Sequence, residues 1–437
     1  MRLALRASLF DFQADPSYGS DALRFIDDGL VCIDNGVITR CGEYSALKTD
    51  IAADATLLDY SGCFVTPGFI DTHIHLPQID VIASPAAGLL DWLERHTFPV
   101  EARFGDPDVA AEAAPFFLDE LARHGTTSAV VFGTVHRTSV EALFEAALQR
   151  DVRLVAGKCL MDRNVPATLR DTAEQGVRDS ADLAERWHGR GRLGYAVTPR
   201  FAASSTALQL ELAGELARHR PELYIQSHVA ENVDEVRWVA ELYPEARSYL
   251  DVYDRFGLLR ERALLAHCIW LDETDRRRMH ESGAAATVCP TSNLFLGSGL
   301  FDFRAALETR MQVALATDVG GGQSFSMLAT MRAAHEVARL KGEPVSALQL
   351  WYWATRAGAL ALGWDDGVAR LEPGFEADLI VVDPRATPLL ARRTARAESF
   401  EETLFAITVL GDDRAIRETI IAGRPAKAGL VAREKPA

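Results

Sequence analysis

Residues that can bind a metal ion stand at the ends of several apolar segments. His73 and His75 form an HxH motif in PGFIDTHIHL, and His228, His267 and Asp318 end the segments LYIQSH, ALLAH and VALATD. Residues two apart on a strand point to the same side, so both imidazoles of the HxH motif face one direction. Imidazoles combined with a carboxylate suit a borderline-soft divalent cation, with Zn²⁺ as the default choice. We therefore expect these five residues to form a metal site.

A further carboxylate, Glu231, follows His228 in the sequence HVAE. It lies just beyond the expected strand end, where it is close to the metal without being a ligand. A carboxylate in that position can relay protons from a metal-activated water to a leaving group. Taken alone, Glu231 is equally well interpreted as a glutamate at a helix N-terminus, which the helix dipole favours. Both alternatives stay open at the level of the residue pattern.

The middle of the chain alternates apolar segments with amphipathic ones, such as 206–220 and 272–282. This alternation predicts a parallel sheet whose strands are buried on both faces. Eight such units fit a (β/α)₈ TIM barrel, in which the carboxyl ends of all strands meet at one mouth. The predicted strands are 63–76, 126–133, 153–161, 193–201, 223–231, 263–271, 284–290 and 312–320. The long segment 76–116 is expected to form a lid or a pocket wall.

Both ends of the chain have the character of β-structure. Asn35-Gly36 is a hairpin turn signal between apolar runs, and 377–383, 407–411 and 416–423 are rich in β-branched residues. These segments predict a small split β-sandwich domain formed by the N- and C-terminal segments. The predicted division assigns 1–66 and 371–437 to this composite domain and 67–370 to the barrel.

The composition is that of a globular enzyme with acidic character. The chain has 437 residues, of which 48% are hydrophobic, and its formal net charge is −16. A field of that sign repels phosphate groups, so we expect no nucleic-acid partner and no membrane partner. The N-terminal stretch lacks a continuous apolar core, so no signal peptide is expected. Six scattered cysteines without a CxxC motif predict reduced thiols and a cytoplasmic protein.

The motifs resemble the amidohydrolase superfamily and, within it, the guanine deaminase family. PGFIDTHIH is similar to the first-strand signature of the superfamily. The narrower resemblance rests on the segments THIHLPQ, LLDWLERHTFP, MDRN, TPRF, QSHVAEN, AHC and TDVGGGQSFSML. It extends over nearly the whole chain and implies zinc-dependent hydrolysis of guanine to xanthine and ammonia, in purine catabolism, by a homodimer.

The resemblance also implies a role for individual residues. The zinc ligands would be His73, His75, His228 and Asp318, while His267 would be either a ligand or a partner of the zinc-bound water. The expected catalytic residues are Glu231, Asp318 and His267, which also face the substrate. Further contacts to the purine base are expected from Gln78, Trp92, Arg200 and Phe201.

The expected reaction is attack of a zinc-bound hydroxide on C2 of guanine, with Glu231 carrying a proton to N3. The residues leave the division of proton transfer between Glu231 and Asp318 open. Arginine only donates hydrogen bonds, so Arg200 would suit the C6 oxygen of guanine and oppose the amino group of adenine. Gln78 would suit an edge with both a donor and an acceptor, and Phe201 or Trp92 would stack on the ring. Without the resemblance, Arg200 would be interpreted as a surface ion-pair partner.

Three alternatives to this function remain. The first is another hydrolase of the same superfamily that acts on a triazine, a pterin or another heterocyclic amine. The second is a binuclear cyclic amidase, which would need a carboxylated lysine, and the nearest lysine to a strand end is Lys158. Lys158 precedes the strand end, and the same run resembles the guanine deaminase segment, in which one metal suffices, so the resemblance implies one zinc ion per chain. The third is a non-catalytic homologue acting as an assembly module.

Cys268 and Cys289 are expected to be buried thiols without a catalytic role.

Overall fold

The computed structural model describes residues 1–427 and contains two separate β-sheets. The chain first enters the terminal sheet through four strands: β1 (Arg2–Phe12), β2 (Leu23–Asp34), β3 (Val37–Glu43) and β4 (Thr56–Pro67). It then forms the barrel strands β5 (Phe69–His75), β6 (Thr126–Phe132), β7 (Arg153–Gly157), β8 (Cys159–Leu160), β9 (Leu193–Pro199), β10 (Tyr224–Val229), β11 (Ala263–His267), β12 (Ala285–Val288) and β13 (Gln312–Leu315). It returns to the terminal sheet through β14 (Leu379–Val382), β15 (Ile416–Ile421) and β16 (Arg424–Pro425).

The barrel consists of parallel strands in the order β5-β6-β7-β9-β10-β11-β12-β13, with the two-residue strand β8 paired to β9. The ring closes between its last and first strands. The N–H of Asp318 donates to the carbonyl oxygen of His73 (2.9 Å), and the N–H of His75 donates to the carbonyl oxygen of Val319 (2.9 Å). The closing hydrogen bonds therefore bring three predicted metal ligands to one place.

Helices connect the strands and cover the outside of the barrel. The two predicted helices are present, and both begin at polar residues that accept a hydrogen bond from the first helical turn, Thr206 from Gln209 and Asp272 from Asp275. Within residues 1–427, no helix combines the length and the hydropathy that crossing a bilayer would require. The α-helices are α1 (Tyr44–Leu47), α2 (Leu89–Trp92), α3 (Phe98–Ala102), α4 (Pro107–Arg123), α5 (Arg137–Gln149), α6 (Ala173–Trp187), α7 (Ala207–His219), α8 (Val233–Leu242), α9 (Tyr249–Arg255), α10 (Glu273–Ser282), α11 (Pro290–Phe295), α12 (Phe303–Glu308), α13 (Met327–Leu340), α14 (Ala347–Ala354), α15 (Arg356–Leu362), α16 (Pro388–Thr394) and α17 (Phe400–Leu410).

The segment 76–116 forms a cover over the barrel mouth. It contains α2, a π-helical turn (Leu93–Thr97), α3 and the first part of α4. Trp92 and Phe98 of this segment belong to one buried apolar cluster with Phe132, which ends strand β6. Packing of large apolar side chains therefore fixes the cover on the barrel.

The sequence-based fold class is confirmed: a TIM-like α/β barrel with a separate sheet built from both chain ends. Two details of the prediction are wrong. The segment predicted as one strand, 63–76, is divided at Gly68 into β4 of the terminal sheet and β5 of the barrel. The segment 407–411 is not a strand, because 400–410 is helix α17, which is capped by Ser399 and buries Leu404 and Ile407. Here packing outweighs the β-propensity of the β-branched residues.

The predicted domain boundaries stay a prediction, and 428–437 of the predicted terminal domain lie outside the described residues. One buried ion-pair cluster joins the two sheets. Arg192, just before β9, donates to both carboxylate oxygens of Asp378 (2.8 and 3.1 Å) and to Glu376 (2.6 Å). The Asp378 side chain is only 1% exposed.

We expect Asp378→Asn to lower the free energy of unfolding by about 2 kcal/mol, because the buried guanidinium loses a charged partner but keeps Glu376. Chemical denaturation measures this change. Asp54→Asn provides the control, since Asp54 pairs with Arg2 at the surface, where loss of an ion pair should change stability by less than about 1 kcal/mol. Equal effects of the two substitutions would contradict the structural role of Asp378.

Candidate active site

The predicted metal ligands converge at the mouth of the barrel. His75 Nε2 lies 3.2 Å from both His73 Nε2 and His228 Nε2. Asp318 Oδ1 lies 3.2 Å from His73 Nε2 and 3.3 Å from His75 Nε2. Three imidazole nitrogens and a carboxylate oxygen that converge in this way are a set of donor atoms that could hold a metal ion.

The protonation states of the cluster also suit a cation. Burial lowers the pKa of His73, lowers that of His75 to about 3 and lowers that of His228 well below its usual value. Burial by itself would raise the pKa of Asp318, but its hydrogen bonds with His73 and His75 hold it well below its usual range. Near neutral pH the site thus has neutral imidazoles and one carboxylate, which are the forms that bind metals.

Hydrogen bonds of the Nδ1 atoms fix the orientation of two imidazoles, those of His228 and His267. His228 Nδ1 lies 2.6 Å from the carbonyl oxygen of Arg200, and His267 Nδ1 lies 2.9 Å from Asn293 Oδ1. In each case Nδ1 donates its proton to an oxygen, so the Nε2 lone pair points into the site. Asn293 lies in helix α11, which follows strand β12. It was not predicted from the sequence, because it is distant from every motif.

His267 lies at the edge of the cluster. Its Nε2 atom is 3.4 Å from Glu231 Oε2 and 3.9 Å from Asp318 Oδ2, and it makes no hydrogen bond to any of residues 1–427. It can therefore act either on a metal ion or on a molecule that approaches one. The backbones of His267 and Asp318 are left-handed, with φ of 71° and 52°, which turns both side chains at their strand ends.

Two further residues considered in the sequence analysis lie near the cluster or behind it. Cys289 Sγ is within 4.8 Å of donor atoms of His73, His267 and Asp318. Burial raises the pKa of the Cys289 thiol well above its usual value, so it is protonated and is a poor ligand. The ammonium group of Lys158 instead pairs with Asp171, and Lys158 does not line the cavity described next, which argues against a lysine that bridges two metals.

Next to the cluster is a cavity with about 410 Å³ of empty space. All seven side chains predicted to face the substrate line it, and so do two further predicted ligands, so that four of the five predicted ligands line the cavity. These residues are Gln78, Trp92, Arg200, Phe201, Glu231, His267, Asp318, His75 and His228. The structure thus brings the predicted set together, while the role of each residue stays a prediction.

Glu231 is buried at the floor of this cavity, close to His267. Ser298 Oγ donates a hydrogen bond to Glu231 Oε1 (2.8 Å), which leaves Oε2 directed towards His267. Burial, and then the charge of Asp318, raise the pKa of Glu231 to about 8. A carboxyl group with a pKa near neutrality can both accept and donate a proton, as a proton relay must. Ser298 carried no signal in the sequence.

Arg200, which lines the cavity, belongs to a buried ion pair that was not predicted from the sequence. Arg200 is 2% exposed, so its interpretation as a surface residue is wrong. Its Nη1 atom donates to both oxygens of Glu101 (2.8 and 2.7 Å), and Gln78 Nε2 donates to Glu101 Oε1 (2.9 Å). Glu101 lies two residues after the segment LLDWLERHTFP. Its partners could not be predicted, because they come close to it only when the segment 76–116 packs on the barrel.

Comparison with known proteins defines the family. The Amidohydrolase family model matches residues 64–426. The chain belongs to the amidohydrolase family. Guanine deaminase of Escherichia coli (strain K12) is 44% identical to this amidohydrolase over 424 residues, which are 96% of this chain and 97% of that protein.

Solved structures agree with this result. The structure of the E. coli guanine deaminase superimposes with a TM-score of 0.94 at 43% identity and covers 97% of this chain and 98% of that chain. A guanine deaminase from C. acetobutylicum, solved with guanine bound in its active site, has a TM-score of 0.86 at 26% identity and covers 97% of this chain and 100% of that one.

In this amidohydrolase, removal of bound divalent metal with a chelator should lower the unfolding temperature, and addition of Zn²⁺ should restore it, because an ion that binds only the native state stabilises it. His228→Ala should abolish this response in thermal denaturation. His219→Ala, which changes an exposed histidine of α7, should retain it. A full response in His228→Ala would exclude His228 as a ligand.

Proposed function

We propose that this amidohydrolase is a guanine deaminase, which hydrolyses guanine to xanthine and ammonia. The observation that carries the proposal is a single cavity lined by members of the histidine–aspartate cluster, by Glu231 and by the buried guanidinium of Arg200. The name of its E. coli relative, which is 44% identical in sequence and has a structure that superimposes with a TM-score of 0.94, supports the same activity.

The metal in this proposal is one Zn²⁺ ion per chain. His73, His75, His228 and Asp318 would hold it, since their neutral nitrogens and single carboxylate match the ligands that zinc prefers. When bound, zinc would supply Lewis acidity and lower the pKa of a coordinated water molecule. The fit rests on the converging Nε2 atoms and on the low pKa values of the three imidazoles.

Glu231 has the proton-transfer role in the proposed reaction. Its Oε1 atom is occupied by Ser298, so Oε2 is the atom that exchanges protons with the substrate. The carboxyl group would receive a proton from the attacking water and give it to N3 of guanine, which makes C2 more electrophilic. The amine would then take up the second proton of the water, which Glu231 transfers from the attacking oxygen, and would leave as ammonia as the C2–N bond breaks and the C2 carbonyl forms. His267 would stabilise the negative charge that develops on the attacking oxygen.

Arg200 and Gln78 provide the selectivity for guanine. Arg200 can only donate, so it suits the C6 oxygen of guanine and leaves the C6 amino group of adenine facing another donor. A buried mismatch of this kind costs about 1–3 kcal/mol or more. Trp92 and Phe201, which line the same cavity, offer apolar faces to the ring.

The predicted homodimer, the place in purine catabolism and the cytoplasmic location are part of this proposal.

The purified enzyme should remove guanine and form xanthine, as ultraviolet absorbance can show, while adenine, cytosine, ammeline and a pterin should react far more slowly. The reason is that adenine has an amino group where guanine has its C6 oxygen, while cytosine, ammeline and the pterin do not have the purine ring system that the cavity is proposed to fit. Preference for ammeline or the pterin would replace guanine with a triazine or a pterin as the substrate. Absence of turnover with all five compounds by metal-loaded protein would contradict a deaminase.

We expect Glu231→Gln to reduce kcat for guanine by about 10²- to 10⁴-fold, because the amide cannot relay a proton. The variant should keep its fold and its metal content, as circular dichroism and metal analysis can show. Glu241→Gln is the matched control, since Glu241 is an exposed glutamate of α8. A fully active Glu231→Gln enzyme would remove Glu231 from the mechanism.

A further inference from the structure

We propose that Glu101 is a positioning residue that holds Arg200 and Gln78 in the arrangement required to bind the C6 oxygen and N1 edge of the purine. This inference rests on the proposed function, because it concerns how that site selects its substrate. Glu101 does not line the cavity and so acts through its two neighbours.

The geometry around Glu101 is that of a shared acceptor. Arg200 Nη1 donates to both of its carboxylate oxygens at 2.8 and 2.7 Å, and Gln78 Nε2 donates to Oε1 at 2.9 Å. One carboxylate therefore fixes two side chains that come from different elements, Arg200 after β9 and Gln78 after β5. Both of those side chains line the cavity, so a shift of Glu101 would shift both.

Glu101 also neutralises the cation. The side chains of Arg200 and Glu101 are 3% and 0% exposed, so neither charge is solvated by water. A buried guanidinium without a partner is strongly unfavourable and would turn towards any other acceptor. Nη1 is used by Glu101, and the guanidinium also makes a hydrogen bond with Cys159, so only the N–H groups not engaged in these contacts are available to a ligand. Phe98, on the same helix α3, lies with its ring centroid 5.8 Å from the Arg200 Cζ atom.

The amide of Gln78 is fixed in one orientation by the same contact. Its Nε2 atom donates to Glu101, while its Oε1 atom accepts from the N–H of Gly320 at 3.1 Å. Rotation of the amide by 180° would place its carbonyl oxygen against the carboxylate and its NH₂ group against an N–H. Gln78 is thus not free to adapt to either polarity of the purine edge, contrary to its expected versatility. It offers one N–H and one oxygen lone pair at defined positions.

Substitution of Glu101 with Gln tests this role, because glutamine has the same shape but carries an NH₂ group that must face one of two donors. Calorimetric binding of hypoxanthine and of purine to the metal-loaded protein reads out the edge directly, since the two ligands differ only in the C6 oxygen and N1–H. In Glu101→Gln, affinity for hypoxanthine should fall by about 10- to 100-fold. Affinity for purine should change by less than about threefold.

Kinetics with guanine provide a second readout. We expect KM to rise by about tenfold or more in Glu101→Gln while kcat changes much less, because binding is lost and the metal cluster with Glu231 is intact. Glu101→Asp, which restores the charge on a shorter side chain, should recover part of the hypoxanthine affinity. If Glu101→Gln does not fold, the ratio of hypoxanthine to purine affinity in Glu101→Asp, expected to be below that of the native protein, decides the question.

Asp378→Asn is the matched control, because it removes a carboxylate from another buried arginine, Arg192, outside the cavity. It should leave the affinities for both ligands unchanged. An equal loss of affinity for hypoxanthine and purine in Glu101→Gln, or no loss for either, would overturn the positioning role. The proposed function fails separately, if the native protein does not deaminate guanine, and the calorimetry still reports on Glu101 in that case.

Discussion

The site depends on one electrostatic constraint, which is that three imidazole nitrogens and a carboxylate oxygen lie away from water, each about 3 Å from a neighbour in the group. A buried carboxylate needs a compensating partner, and a cation bound among these donor atoms would supply one. The histidines belong to barrel strands, Asp318 follows the last of these strands, and oxygens that accept from Nδ1 of His228 and His267 fix their tautomers. A large part of the surrounding packing keeps these groups in place.

The sequence was sufficient for the features that depend on local pattern. The HxH motif, the strand-end histidines and Asp318 could be found because strand geometry and barrel topology determine where strand ends point. Their convergence follows from the fold class. Residue roles such as that of Glu231 as a proton relay still await the kinetic tests.

Features that depend on tertiary docking could not be predicted. Glu101 gave no signal, because its two partners follow β5 and β9, and only the cover formed by 76–116 brings it to them. Ser298 and Asn293 were missed for the same reason, since each contacts a functional residue far away in the chain. The helical state of 407–411 was also missed, because burial of Ile407 decides it and local propensity does not. These features thus depend on contacts between residues that are far apart in the sequence, which the local pattern of residues does not show.

The seam between β13 and β5 has a consequence for biosynthesis. The hydrogen bonds that close the ring and the carboxylate of the metal cluster come from the same stretch, 318–319, whereas their partners are at 73 and 75. A nascent chain that has emerged from the ribosome only as far as β12 lacks both the last barrel strand, β13, and Asp318. Closure of the barrel and completion of the candidate metal site therefore both require the stretch 318–319, so translation products that end before it should lack this site.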